Sequence, residues 1–249
     1  MKTLYLKAAP GDIADYVIFS GDPGRVKKVC SHLSNVKNIA CNREFETYTG
    51  NYKGMPVTVT STGIGAPSAA IAMEEMYECG MKVAVRLGTV MGLIDNLGGF
   101  IIPRAAIRRE STSSTYVEKG YPAAADIELV SYMNAAVKKQ NGVYTNGIIC
   151  SMDGYYSEMK SSKLSEQMQK DIDGTISELK KYNVVGLDME TSLILTLGSL
   201  MNIKACSVTV TTILEGRKGM LKDDDRIAAE EKLITVVLEG LYSFANDNR

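Results

Sequence analysis

The chain contains one histidine, His32, and that scarcity sets the first limit on its chemistry. A single imidazole cannot build a histidine metal site or, alone, a Ser-His-Asp triad. Its place near the end of the first predicted helix fits a partly exposed surface residue. Cysteines are few and scattered: Cys30, Cys41, Cys79, Cys150 and Cys206 are odd in number and form no CxxC pair. They read as small buried hydrophobes in a reducing compartment, not as a disulfide framework or a metal centre. The net charge is −1 and there is no long basic block, so there is no electrostatic footprint for nucleic acid or a membrane surface. No apolar run reaches membrane-spanning length, and Met1-Lys2-Thr3 opens onto no signal-like segment. A cytoplasmic location is expected.

What is present is an ordinary globular composition, with 249 residues, 45% hydrophobic and 23% charged. Strand-like and helix-like stretches alternate without a linker, so residues 1–249 read as one domain. Tyr16–Phe19, Val57–Thr60, Val83–Leu87, Ile148–Ser151 and Ala205–Thr212 have strand character. Arg25–Leu33, Ala66–Cys79, Ile127–Lys139, Glu190–Met201 and Asp223–Phe244 have helical spacing. Phe45–Thr49 and Val57–Thr60, separated by Asn51-Tyr52-Lys53-Gly54, suggest a hairpin. The segments 111–120 and 157–173 are polar and read as irregular or surface chain. The expected fold is α/β: a single domain with a central mixed, largely parallel twisted sheet flanked by helices.

In such sheets, ligands bind beyond the carboxyl ends of strands. Ser20-Gly21-Asp22-Pro23-Gly24-Arg25 is a glycine-bearing turn between a strand and a helix. Free backbone N–H groups and the Arg25 guanidinium there suit an anion. Ser61-Thr62-Gly63-Ile64-Gly65-Ala66-Pro67-Ser68 is a second glycine turn, and Arg86-Leu87-Gly88-Thr89 adds another arginine and a hydroxyl. Tyr155-Tyr156 and Asp188-Met189-Glu190 supply aromatic faces and carboxylates, suited to a flat ring and a polyhydroxylated sugar. Gly63-x-Gly65 is a poor dinucleotide fingerprint, because the third glycine position is Ser68 and no ribose-holding acid follows the next strand. A P-loop lysine is also missing.

Taken together, Gly21-Asp22-Pro23-x-Arg25, Ser61-Thr62-Gly63-Ile64-Gly65-x-Pro67-Ser68, Arg86-x-Gly88-Thr89 and Asp188-Met189-Glu190 resemble the signatures of the trimeric and hexameric nucleoside phosphorylases. That family includes uridine phosphorylases and bacterial-type purine nucleoside phosphorylases. The likeness runs from about Tyr5 to the last helix. It implies phosphorolysis of a ribonucleoside to free base and ribose 1-phosphate, with inorganic phosphate as co-substrate and no organic cofactor. It implies phosphate binding by Gly21, Arg25, Arg43, Arg86 and Thr89, with Arg43 lent across a dimer interface. Arg25, Arg86 and Glu190 would carry the catalysis. Tyr5, Thr89, Tyr155, Asp188, Met189, Glu190 and Ile213 would surround the nucleoside. Glu44, Ile64 and Ser68 match positions that hold a monovalent cation, such as potassium, in some uridine phosphorylases. The minimal unit implied is a homodimer, possible within a hexamer.

The departures from that pattern concern the base. Ile213 stands where purine phosphorylases carry an aspartate that protonates the purine, and an apolar residue cannot be a general acid. That favours a uridine-type site. Met159 and Ser161, however, stand where uridine phosphorylases hold uracil with a glutamine and an arginine, and Val90-Met91 replaces a small turn. Tyr5 replaces a histidine. A purine nucleoside phosphorylase is the alternative reading. A hydrolytic nucleosidase and a non-catalytic binding protein of the same fold are further ones, and the three arginines argue against the hydrolase.

Overall fold

Val17, Ile18 and Phe19 are each at most 1% exposed, as in a strand covered on both faces. Alternation of the pleat sends Val17 and Phe19 into one core layer and Ile18 into another. Burial of each such side chain stabilises the fold by about 1.5–3 kcal/mol. The computed structural model describes residues 1–248. The amino-terminal part comprises β1 (Tyr16–Ser20), α1 (Pro23–Ser31), β2 (Ser34–Asn42), β3 (Phe45–Tyr52), β4 (Met55–Ser61), α2 (Ala66–Glu78) and β5 (Val83–Gly92). Then come β6 (Phe100–Ile101), β7 (Ala105–Arg108), β8 (Ala123–Ala124), α3 (Ile127–Lys139), β9 (Tyr144–Thr145) and β10 (Ile148–Ser151). The remainder is α4 (Lys163–Gln167), α5 (Ile172–Lys181), β11 (Val184–Asp188), α6 (Thr191–Leu200), β12 (Lys204–Leu214) and α7 (Asp223–Asp247).

Among the described residues, the twelve strands form one mixed sheet, the α/β architecture expected. Its main path runs β2-β3-β4-β1-β5-β11-β10-β7-β8, and β12 lies along β5. Helices α1, α3 and α7 cover one face and α2 and α6 the other. A third apolar cluster joins α5 to Met91, Met159 and Leu187. No described helix is long and apolar enough to cross a membrane.

Strand β5 organises the centre. On one side it pairs in parallel with β12 from Val83 to Gly92. On the other, β1 pairs with residues 83–86 and β11, antiparallel, with residues 91–92. Between those partners the sheet divides. This is a topological switch point, where α/β sheets leave a crevice.

Several local expectations need correction. Strand β2 was not expected, because its sequence is polar and most of its residues are exposed; its pairing with β3 forms it at the sheet edge. The segment 157–173 is not uniformly irregular: Ser162 caps α4 through reciprocal bonds with Ser165, and α5 begins at Ile172. Cys41 is exposed on β2, whereas Cys79, Cys150 and Cys206 are buried as expected. His32 is half-buried, with Nε2 2.9 Å from Glu231 Oε2.

Candidate active site

The division beside β5 holds a cavity of about 630 Å³. Its lining includes Gly21, Arg25, Ile64, Arg86, Thr89, Tyr155, Asp188, Met189, Glu190 and Ile213, all named from the sequence. They converge because β1, β4, β5, β11 and β12 end around this crevice. The two glycine turns touch: a Cβ added at Gly21 would lie 3.2 Å from the Gly63 carbonyl oxygen.

Two buried arginines form one end. Arg25 is 4% exposed, and its Nη1 donates to Ser20 Oγ at 3.3 Å. Arg86 is 8% exposed, and its Nη2 meets Glu190 Oε2 at 2.5 Å and Asp188 Oδ2 at 3.2 Å. Burial opposes the Arg86 charge, but Asp188 and then Glu190 outweigh it and push its pKa up. Arg25 Nε and Arg86 Nη1 are buried with no protein acceptor. Buried charged donors of this kind are costly unless something accepts from them. Both belong to residues of the cavity wall.

The α1 turn offers less backbone than its sequence suggested. Asp22 caps the helix by accepting from the Gly24 amide at 2.8 Å, the Arg25 amide bonds the Asp22 carbonyl, and Pro23 has no N–H. The anion end therefore depends chiefly on guanidinium groups.

Glu190 and Asp188 divide their work. Glu190 occupies the N-cap position of α6 without capping it; its Oε1 accepts from the Gly65 amide at 2.6 Å. Its carboxylate thus ties the β4 turn to Arg86 at the cavity wall. Asp188 accepts from Ser151 Oγ, Thr191 N and Thr191 Oγ1 besides Arg86. Its oxygens are consumed by the protein, so it fixes β10, β11 and α6 around Arg86 rather than offering a free acceptor.

The opposite end is apolar, and sheet register explains why. Met91 on β5 has Leu187 of β11 on one side and Ile213 of β12 on the other. Tyr155 and the buried Met159 complete that wall, and Tyr155 packs edge-on against Tyr156. Ser161 lies instead in an adjoining cavity of about 280 Å³, which shares Met91, Met159 and Ile213 with the first.

Tyr5 and Arg43 do not line the chain's own cavity. They meet each other, with the Arg43 guanidinium carbon 5.5 Å from the Tyr5 ring centroid. Glu75 docks this amino-terminal segment by accepting from the Tyr5 and Leu6 amides. Ser68 Oγ donates to Glu44 Oε1 at 3.2 Å, whereas Ile64 is exposed at the cavity wall. Among the described residues no group of three or more His, Cys, Asp or Glu side chains could hold a metal ion. Sequence reasoning missed Arg226, which lines the cavity from the first turn of α7. Its one sequence signal was the i,i+4 spacing from Glu230.

A cavity with cationic donors at one end, a carboxylate between and an apolar slot beyond fits an enzyme that brings an oxyanion to a glycoside. Comparison with known proteins places that class. Residues 15–239 match the family model described as the phosphorylase superfamily, and the chain belongs to that family. It is 37% identical over 233 residues to a uridine phosphorylase of Thermococcus kodakarensis, covering 91% of this chain and 84% of the relative. A guanosine phosphorylase of Halorubrum lacusprofundi is 28% identical over 229 residues, covering 90% of each. A crystal structure of uridine phosphorylase from Vibrio fischeri superposes with a TM-score of 0.84 at 30% identity, covering 97% of each chain.

Proposed function

We propose that this protein is a nucleoside phosphorylase of uridine type. A phosphate oxygen attacks C1′ of the ribose, the C1′–N bond breaks, and the base leaves with the bonding pair. The products are ribose 1-phosphate and the base anion, which takes a proton from water to become the free base. The observation that carries this reading is a pair of buried arginines, Arg25 and Arg86, which both line one cavity and each keep a guanidinium nitrogen without a protein acceptor. Phosphate would accept from both, replacing its water with charge-assisted bonds. Desolvated and oriented beneath C1′, it attacks while its charge stabilises the cationic character of the ribose. Glu190, held by Gly65 and Arg86 at the cavity wall, would accept from ribose hydroxyls.

The base end supports a pyrimidine. Ile213 offers no proton to a purine, and uracil is the more tolerable anionic leaving group. Guanosine phosphorolysis is the second reading, favoured by the Halorubrum relative. The active unit is at least a dimer, in which Arg43 and Tyr5 serve the neighbouring chain's site; that neither lines its own chain's cavity supports this. Uridine, thymidine, inosine and adenosine incubated with and without phosphate, with released base quantified, test the reading. Phosphate-dependent release greatest from uridine is expected. Phosphate-independent release would indicate a hydrolase, and no release a binding protein.

A further inference from the structure

One buried carboxylate, not yet assigned a role, gathers three cations. Glu230 on α7 is 4% exposed. Its Oε1 accepts from Arg25 Nη2 at 3.1 Å and from Arg226 Nε at 3.2 Å, and its Oε2 from Lys28 Nζ at 2.9 Å. Arg25 and Arg226 line the cavity from different helices, α1 and α7. With Nη1 on Ser20 and Nη2 on Glu230, the Arg25 fork is fixed at two corners, and Nε is left without a protein acceptor.

A carboxylate beside a phosphate site is electrostatically adverse, so its presence needs a reason. Two roles give opposite signs. A mere counter-ion lowers the positive potential, and its removal strengthens anion binding. A fixture holds a planar guanidinium in one orientation, and its removal weakens anion binding even though a negative charge has gone. The geometry favours the fixture. Three cations face one carboxylate, so the cluster stays positive, and both oxygens are engaged by groups from two helices.

We propose that Glu230 is a positioning residue for the anion end of the site, acting through Arg25 and drawing Arg226 onto the same wall. The proposal rests on the assignment of phosphate to Arg25. Glu230→Gln removes the charge and nearly keeps the shape, whereas Glu230→Asp keeps the charge and withdraws it by one methylene. Both are expected to raise the phosphate KM by about tenfold or more, with the nucleoside KM little changed. A counter-ion predicts a lower phosphate KM for the Gln variant and a wild-type value for the Asp variant; either result overturns the proposal. A parallel rise in both KM values would mean a structural role only, and overturns it too. Arg25→Ala separates the two levels of inference. If it leaves the phosphate KM unchanged, the phosphate assignment fails. If it raises the phosphate KM while the Glu230 variants do not, only the positioning role fails. In the double variant Arg25→Ala with Glu230→Gln, the phosphate KM should be no worse than with Arg25→Ala alone; additive effects would show that Glu230 does not act through Arg25.

Discussion

A Cβ at position 88 would lie 2.6 Å from Cζ of Arg86 and closer still to its Nη1, so the Arg86 guanidinium occupies the space that any side chain at Gly88 would need. Arg86 is buried and held by Glu190 and Asp188, which leaves no equivalent position on the cavity wall. Gly88→Ala should therefore displace the far end of Arg86 rather than unfold the sheet. Loss of a charge-assisted contact to the reacting phosphate costs on the order of 2–4 kcal/mol of transition-state stabilisation. A fall in kcat/KM of about a hundredfold is expected, with a lowered melting temperature because Asp188 and Glu190 stay buried without their cation. Steady-state kinetics with varied phosphate, beside a thermal melt, measures both.

The apolar wall makes a prediction about leaving groups. Introducing Asp at 213 places a carboxyl beside Met91, where burial favours the protonated form that can donate to a purine. Ile213→Asp should raise the inosine-to-uridine ratio of kcat/KM. In the unaltered enzyme uridine should exceed inosine, and the reverse order would refute the pyrimidine reading.

Assembly is tested by complementation. Arg43→Ala and Arg86→Ala should each be nearly inactive. If a neighbour supplies Arg43, a mixed dimer holds one site carrying both lesions and one carrying neither. Co-refolding equal amounts should then restore about one quarter of the wild-type activity. Persistent inactivity of the mixture, with heterodimers demonstrated, would place Arg43 in its own chain's site.

Acid sensitivity follows from Glu230. Burial works against its ionisation, but Arg25, Lys28 and Arg226 prevail and hold its pKa down at about 2, against a usual 4.5. A depressed carboxylate contributes stability that is complete above the unfolded value and is lost as pH falls through the folded one. The contribution should be steady above pH 4.5 and fade towards pH 2. The melting temperature difference between wild type and Glu230→Gln should shrink across that interval. A difference independent of pH would mean that the carboxylate charge is not what stabilises the α1–α7 contact.

The sequence was most legible where one residue's chemistry is tied to a strand end. Gly21, Arg25, Arg86, Thr89 and Glu190 were readable as cavity lining because each stands at or just beyond the carboxyl end of a strand legible in the sequence. Hydrophobic runs revealed β1, β10 and β12, but β2 has no apolar pattern and exists only through its partner β3. Asp188 was named as a ligand, yet its hydrogen bonds to Ser151 and Thr191 depend on tertiary contacts invisible in the chain order. Arg226 escaped notice for a similar reason: the helical spacing of residues 223–244 was readable, but nothing local says that α7 reaches the cavity.

The long pairing of β5 with β12, from Val83 to Gly92, has a consequence for how substrates come and go. One wall of the cavity is a long parallel ladder that shifts register once, between Thr211 and Ile213, and opening it would require breaking the centre of the sheet. Traffic must instead pass on the side of Tyr155, Met220 and Leu221, where the lining comes from short turns between elements. Residues 86–91 on that ladder run from the arginine end to the apolar end, so the spacing of anion to base along this wall is set by consecutive residues of one strand.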